Sequence, residues 1–185
     1  MKKIRSFLVL ALGLVMVMAF AGCGSDKNSV SDLAKDFKGV VHDKLGVAEE
    51  SIKEMDPGTF QNAHVHEGKY YVCNASDVPL IDCDIYDDAN EARECFKEYY
   101  DAFVEAYGDG YTGSYQYCLK DDYGYIVVDG TVPGYDAFGS RFASGGEICA
   151  GIYYSDNAVI RIMPRNDDGE SCRNAISRLG LPMTK

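Results

Sequence analysis

Tryptophan is absent from this 185-residue chain, and histidine is scarce: His42, His64 and His66 all fall before residue 67. A serine or cysteine nucleophile needs a histidine base, and no G-x-S-x-G elbow is there to display one. No C-x-x-C pair occurs, so neither a thioredoxin-like redox motif nor a zinc ribbon is signalled. Nothing repeats with the 20–50-residue period of solenoids and propellers. Basic residues are also few, 18 against 29 acids, for a formal net charge of −11. Nucleic acid and anionic lipid headgroups repel such a chain, and neither is expected as a ligand. One long apolar run exists, and it lies at the start.

There, Lys2, Lys3 and Arg5 precede an apolar run from Phe7 to Ala21 that ends in Ala21-Gly22-Cys23. That order of basic, apolar and small residues is a secretory signal, too short and wrongly flanked for a stable membrane span. The closing Ala-Gly-Cys resembles the lipobox of bacterial lipoproteins. The resemblance implies that Cys23 is lipidated, that the chain is cut just before it, and that a diacyl or triacyl anchor holds the protein on the extracytoplasmic face of the cell membrane. Two or more acyl chains meet the requirement for stable attachment. Ala19-Phe20-Ala21 also fits the small-x-small site of ordinary signal peptidase, which would release the domain. The expected division is a signal peptide over 1–22, a lipidated cysteine with flexible tether over 23–30, and one α+β domain over 31–182. Loss of Lys2, Lys3 and Arg5 from the 18 bases leaves 15 against 29 acids, a formal charge of −14 that keeps an exposed domain soluble.

Six cysteines remain beyond Cys23: Cys73, Cys83, Cys95, Cys118, Cys149 and Cys172. An even number in an exported chain suggests up to three disulfides. The alternative is reduced thiols packed as small apolar residues. Fourteen Tyr and eight Phe suit half-buried sheet faces and recognition surfaces equally.

Along the chain, Leu33, Phe37, Val40, Val41 and Leu45 fall at helical spacing, with Ser29 or Ser31 as cap and Gly46 as stop. Ala48 to Met55 reads as a short second helical piece. Lys69–Ala75 and Leu80–Tyr86 read as strands, the latter with Ile81, Cys83 and Ile85 opposite Asp82 and Asp84. Asp88 and Glu91 spell a capping box for a helix with the stripe Ala92, Cys95, Phe96, Tyr99, Phe103, Ala106 and Tyr107. Two hairpins follow, 115–129 and 147–163, separated by a Gly-rich loop. A last helix turns Cys172, Ala175, Ile176 and Leu179 inward and stops at Gly180. The expected fold class is therefore α+β: an antiparallel sheet of about six short strands with three helices packed mainly on one face. The early helix ending Lys44-Leu45-Gly46, the step from Asp84 to Ala92, and the run from Asp156 through Gly180 are similar to short surface lipoproteins of Clostridia-type Firmicutes. That resemblance implies a fold and a location, and no activity.

Candidate sites are few. His64 and His66, two apart in an extended segment, point the same way and could grip one metal ion, with His42, Glu67 or Asp77 as third ligand. An exposed loop with two solvated histidines is the plainer reading. Gly108 to Gly113 spells G-x-G-x-x-G, but with a helix before it and a strand after it, the reverse of a dinucleotide site. The acids from Asp82 fail the calcium-hand pattern, with Asp87 and Arg93 where Gly and Glu belong. Nothing singles out two carboxylates for hydrolysis. The expectation is a non-enzymatic binding domain without cofactor, whose partners are the membrane, through Cys23, and a protein or small molecule of the envelope. A metal-handling lipoprotein and a cell-wall hydrolase are the alternatives.

Overall fold

Among the described residues seven strands, every neighbouring pair antiparallel, join in the order β1-β2-β3-β7-β6-β5-β4. They are β1 (Ile52–Met55), β2 (Lys69–Cys73), β3 (Leu80–Ile85), β4 (Thr112–Leu119), β5 (Tyr123–Val132), β6 (Gly146–Ser155) and β7 (Ala158–Met163). The helices are α1 (Asp26–Lys35), α2 (Phe37–Leu45), α3 (Ala89–Ala106) and α4 (Gly169–Leu179). The computed structural model describes residues 26–57, 67–106, 112–132, 146–165 and 169–184. The α+β class and the antiparallel sheet are as expected, with one more strand and one more helix.

Side-chain alternation sorts the core into two layers. On one face Ile81, Cys83, Ile160 and Ile162 meet Val30 and Leu33 of α1, Phe37 and Val41 of α2, and Cys172 and Ile176 of α4. On the other, Ile126, Ile152 and Val159 meet Ala92, Phe96 and Phe103 of α3. Three helices thus share a face, and the middle helix takes the opposite one. All six residues of β7 are buried because both of its faces are covered. This is why Ala158–Met163 reads as a nearly unbroken apolar run rather than an alternating one.

Three local expectations change. The first helix is two, broken at Asp36, whose carboxylate accepts the Gly39 N–H at 3.1 Å and starts α2 afresh. Ile52–Met55 is strand, not helix: a lone 3₁₀ turn at Glu49–Ser51 precedes it, and the ladder to β2 pairs Ile52 with Cys73 and Met55 with Tyr70. Pairing overrides the local preference of four residues. Helix α1 begins at Asp26, inside the stretch expected as tether, and Val30 is fully buried against the sheet.

Ser29 and Ser31 therefore lie inside α1 rather than capping it, while the start at Asp88 and the stops at Gly46 and Gly180 are as expected. Gly46 (φ 74°) and Gly180 (φ 73°) end α2 and α4 in the left-handed conformation that glycine adopts without strain. Leu181 N–H closes the second of these caps on the Ile176 carbonyl at 3.1 Å. Asp88 starts α3 by accepting the Asn90 N–H at 2.8 Å. Phe96 on this helix is fully buried, stacked on Tyr154 with ring centroids 5.6 Å apart. Gly124 makes room for it: a Cβ there would stand 2.6 Å from the Phe96 ring. Phe96→Ala should therefore cost about 3–5 kcal/mol by urea denaturation. A loss under about 1 kcal/mol would mean that α3 does not pack this face.

Candidate functional site

Where the α1–α2 break crosses the open end of the sheet, four chain segments enclose a groove of about 470 Å³. Ala34, Phe37, Tyr71 and Ile85 give it an apolar side, on which the Phe37 and Tyr71 rings stack at 5.8 Å. Lys35, Lys38, Lys69, Ser31 and the β6–β7 turn, Ser155 to Asn157, are among its polar lining. The Lys38 ammonium lies 5.6 Å from the centre of the Tyr71 ring, a cation–π distance. The Tyr71 hydroxyl engages Glu54 and Lys69, and burial first, then Glu54, raises its pKa. The turn is held by Asp156 at φ 52°, a conformation that Asp tolerates better than most residues. Its carboxylate accepts the Ser31 hydroxyl at 3.3 Å and so ties α1 to the hairpin.

A second polar cluster lies on the α3 face and is sealed. Arg161, only 2% exposed, projects from β7 between Asp82 and Asp84 of β3, which are 6% and 0% exposed. Its Nε donates to Asp82 at 2.5 Å, its Nη2 to Asp84 at 3.0 Å and its Nη1 to the Tyr99 hydroxyl at 2.8 Å. Burial alone would lower the guanidinium pKa, but Asp82, Tyr99 and Asp84 outweigh it and hold the value well above the usual range. Tyr70, buried beside the cluster, has its phenol pushed up chiefly by desolvation. These are the two carboxylates that the fold singles out, and a guanidinium already occupies the space between them. They hold the sheet in register rather than offering a cleft to a substrate.

The sequence-predicted residues fare unevenly. Cys23, His64 and His66 lie outside the described residues, as do Gly108 and Gly110 of the glycine motif. His42 sits on α2 with Nδ1 2.7 Å from the Val47 carbonyl, a contact in which the ring must donate. Among the described residues no three His, Cys, Asp or Glu side chains gather as a metal set, and no helix is long and apolar enough to cross a membrane. The six cysteines form no disulfide here, and all are buried except the half-buried Cys118. Burial raises their pKa values wherever a shift is resolved: Cys83 well above the ordinary value, Cys95 to about 11 and Cys149 to about 12. No family model, no curated protein and no solved structure matches this chain.

Both clusters escape a reading along the sequence. A signal for the sealed one does exist. Arg161 is the lone charge in Ala158–Met163, an apolar strand pattern with no solvent side, and such a charge needs a buried acid as partner. Alternate acids on a strand, Asp82 and Asp84, are the complement. The groove has no comparable signal, because its walls come from residues 31–38, 69–71, 85 and 155–157.

Proposed function

We propose that this chain is a membrane-anchored extracytoplasmic lipoprotein whose folded part binds a partner or small ligand at the cell envelope and catalyses no reaction. The anchor is supported by the basic-apolar-small order that ends at Cys23. Binding is supported above all by one observation, the groove beside the α1–α2 break. Its volume falls in the range of small-molecule sites, and four apolar or aromatic residues, Ala34, Phe37, Tyr71 and Ile85, contribute to a lining that is otherwise polar. The hydrolase alternative has less support, since Asp82 and Asp84 are sealed against Arg161. The metal alternative rests on His64 and His66 alone.

Cys23→Ser is expected to stop lipidation and leave unprocessed precursor in the cell; normal processing with membrane retention would refute the anchor. For the groove, amide shifts in an NMR screen of mixed charged and neutral fragments should cluster at Ser31, Tyr71 and Asn157. Shifts scattered over the surface would remove the groove as the binding site.

A further inference from the structure

We infer that on oxidation this fold makes one disulfide, Cys149–Cys172, which joins α4 to β6. The sheet excludes the other pairs. Cys95 is buried on the α3 face, whereas Cys73, Cys83, Cys149 and Cys172 lie in the opposite core and Cys118 packs against it. In the β2–β3 ladder Cys73 stands opposite Ile81 and Cys83 opposite Tyr71, so the two are diagonal neighbours. Diagonal neighbours are about 7–8 Å apart, while a disulfide holds its Cβ atoms about 3.5–4.5 Å apart. Strand order separates the rest. Counted from β6, which carries Cys149 and lies under α4, Cys83 and Cys118 are two strands away on either side and Cys73 is three. Two strand spacings are about 10 Å, beyond the reach of a bridge. Cys83 and Cys118 are also level with Tyr153 in the ladders, four residues along from Cys149.

Three contacts bring the remaining two together. Gly169, the first residue of α4, packs on β6 so closely that a Cβ there would stand 3.4 Å from the Cys149 nitrogen. Cys172 follows one helical turn later on the same face, and it and Cys149 are both fully buried. Its neighbour Arg173 donates from Nε to the two Asp129 carboxylate oxygens at 3.0 and 2.9 Å, and Asp129 is directly opposite Cys149 in the β5–β6 ladder. The Tyr153 hydroxyl lies against Gly151 and donates to the Pro182 carbonyl at 3.0 Å. After burial, Cys149 and then Cys172 raise its pKa, so both thiols face one oxygen. The bond forms by exchange with a small disulfide such as oxidised glutathione. The two thiols give up two protons and two electrons, an S–S bond forms between Cys149 and Cys172, and the S–S bond of the oxidant is cut to two thiols. Both sulfurs are sealed once α4 is in place, so exchange precedes the docking of that helix.

In the test, the full chain is reduced and unfolded in urea and refolded in dodecylmaltoside with oxidised and reduced glutathione. It is then denatured in N-ethylmaleimide and cut with trypsin. Cleavage after Arg141, Arg161, Arg165 and Arg173 leaves Cys149 as the one cysteine of peptide 142–161 and Cys172 as the one cysteine of peptide 166–173. The expected product is these two peptides joined, parted by reductant, with maleimide on Cys73, Cys83, Cys95 and Cys118. The glutathione couple supplies the oxidant, so the outcome does not depend on where in the cell the chain resides. Maleimide on all six would overturn the disulfide, and a link between any other two cysteines would overturn the pairing. The oxidised chain should also melt about 5–10 °C above the reduced one. A lower midpoint would mean that the native packing of α4 on β6 rejects the bond, and would overturn the inference. In Cys172→Ala, Cys149 should carry maleimide; a new partner for Cys149 there would show that the sheet does not keep the other cysteines out of reach.

Discussion

Arg161→Met is expected to be among the most damaging single substitutions in this protein, costing about 3–5 kcal/mol by urea denaturation. The change removes the three donors that Arg161 gives to Asp82, Asp84 and Tyr99 and leaves two buried carboxylates side by side on one face of β3. An uncompensated buried charge is the costly part, more than the lost attraction. Folding stability of domains this size is typically about 5–15 kcal/mol, so the loss is a large fraction of the whole. The same reasoning predicts recovery. Adding Asp82→Leu and Asp84→Leu to Arg161→Met removes the stranded charges and should restore most of the stability, because apolar replacements of buried ion clusters are often neutral or better. If Arg161→Met stayed within about 1 kcal/mol of the parent, water would have to reach the cluster and its burial would be misjudged.

Alkali should unfold the reduced protein steeply. Burial raises the pKa values of the Cys73, Cys83, Cys95 and Cys149 thiols, to about 11 for Cys95 and about 12 for Cys149. In the unfolded chain a thiol loses its proton near its ordinary value, about 8.5. Above that pH the unfolded state holds fewer protons than the native one, so stability falls as pH rises. The contribution is complete below about pH 8.5 and is lost on the way to the folded-state values. A thiol ionised in the unfolded chain and protonated in the native one contributes about 1.4 kcal/mol per pH unit, so Cys95 and Cys149 together give a slope of up to about 3 kcal/mol per unit between roughly pH 9 and 10.5, and Cys73 and Cys83 add to it in the same direction. The phenols of Tyr70, Tyr86 and Tyr153, also raised by burial, steepen the fall above pH 10. Unfolding free energies measured from pH 7 to 11 with reductant should show this slope. A flat profile would mean thiols already ionised, or joined in disulfides, and the same series without reductant separates the two.

What the sequence reveals of this fold depends on how local its causes are. Helix α4 is legible because Cys172, Ala175, Ile176 and Leu179 recur at helical spacing and Gly180 ends it; nothing distant is needed. The β6–β7 hairpin is legible for the same reason, with a two-residue turn between Ser155 and Ala158. Ile52–Met55 misleads because four residues with a helical lean become a strand only beside Cys73 to Tyr70. Asp82 and Asp84 mislead differently. Their alternation gives the correct face, opposite Ile81, Cys83 and Ile85, but period alone does not say whether water or α3 covers it. The groove is the extreme case. Its lysines look like ordinary solvated charge along the chain, and only the packing of α1 and α2 over β2 and the β6–β7 turn makes them neighbours.

The seam between β3 and β7 also sets an order of events in time. The β2–β3, β4–β5 and β6–β7 pairs are hairpins or near-hairpins that close over short loops, but Asp82 and Arg161 are 79 residues apart. A chain that emerges N-terminal end first, from a ribosome or across a membrane, presents β3 well before β7. Throughout that interval the two acids of β3 lack their native cation, and burying them under α3 is opposed by their charge. The nascent chain is thereby kept from sealing its middle early. The N-terminal three strands and the C-terminal four stay separable until Arg161 emerges, and their joining is the long-range step on which the folding rate should depend.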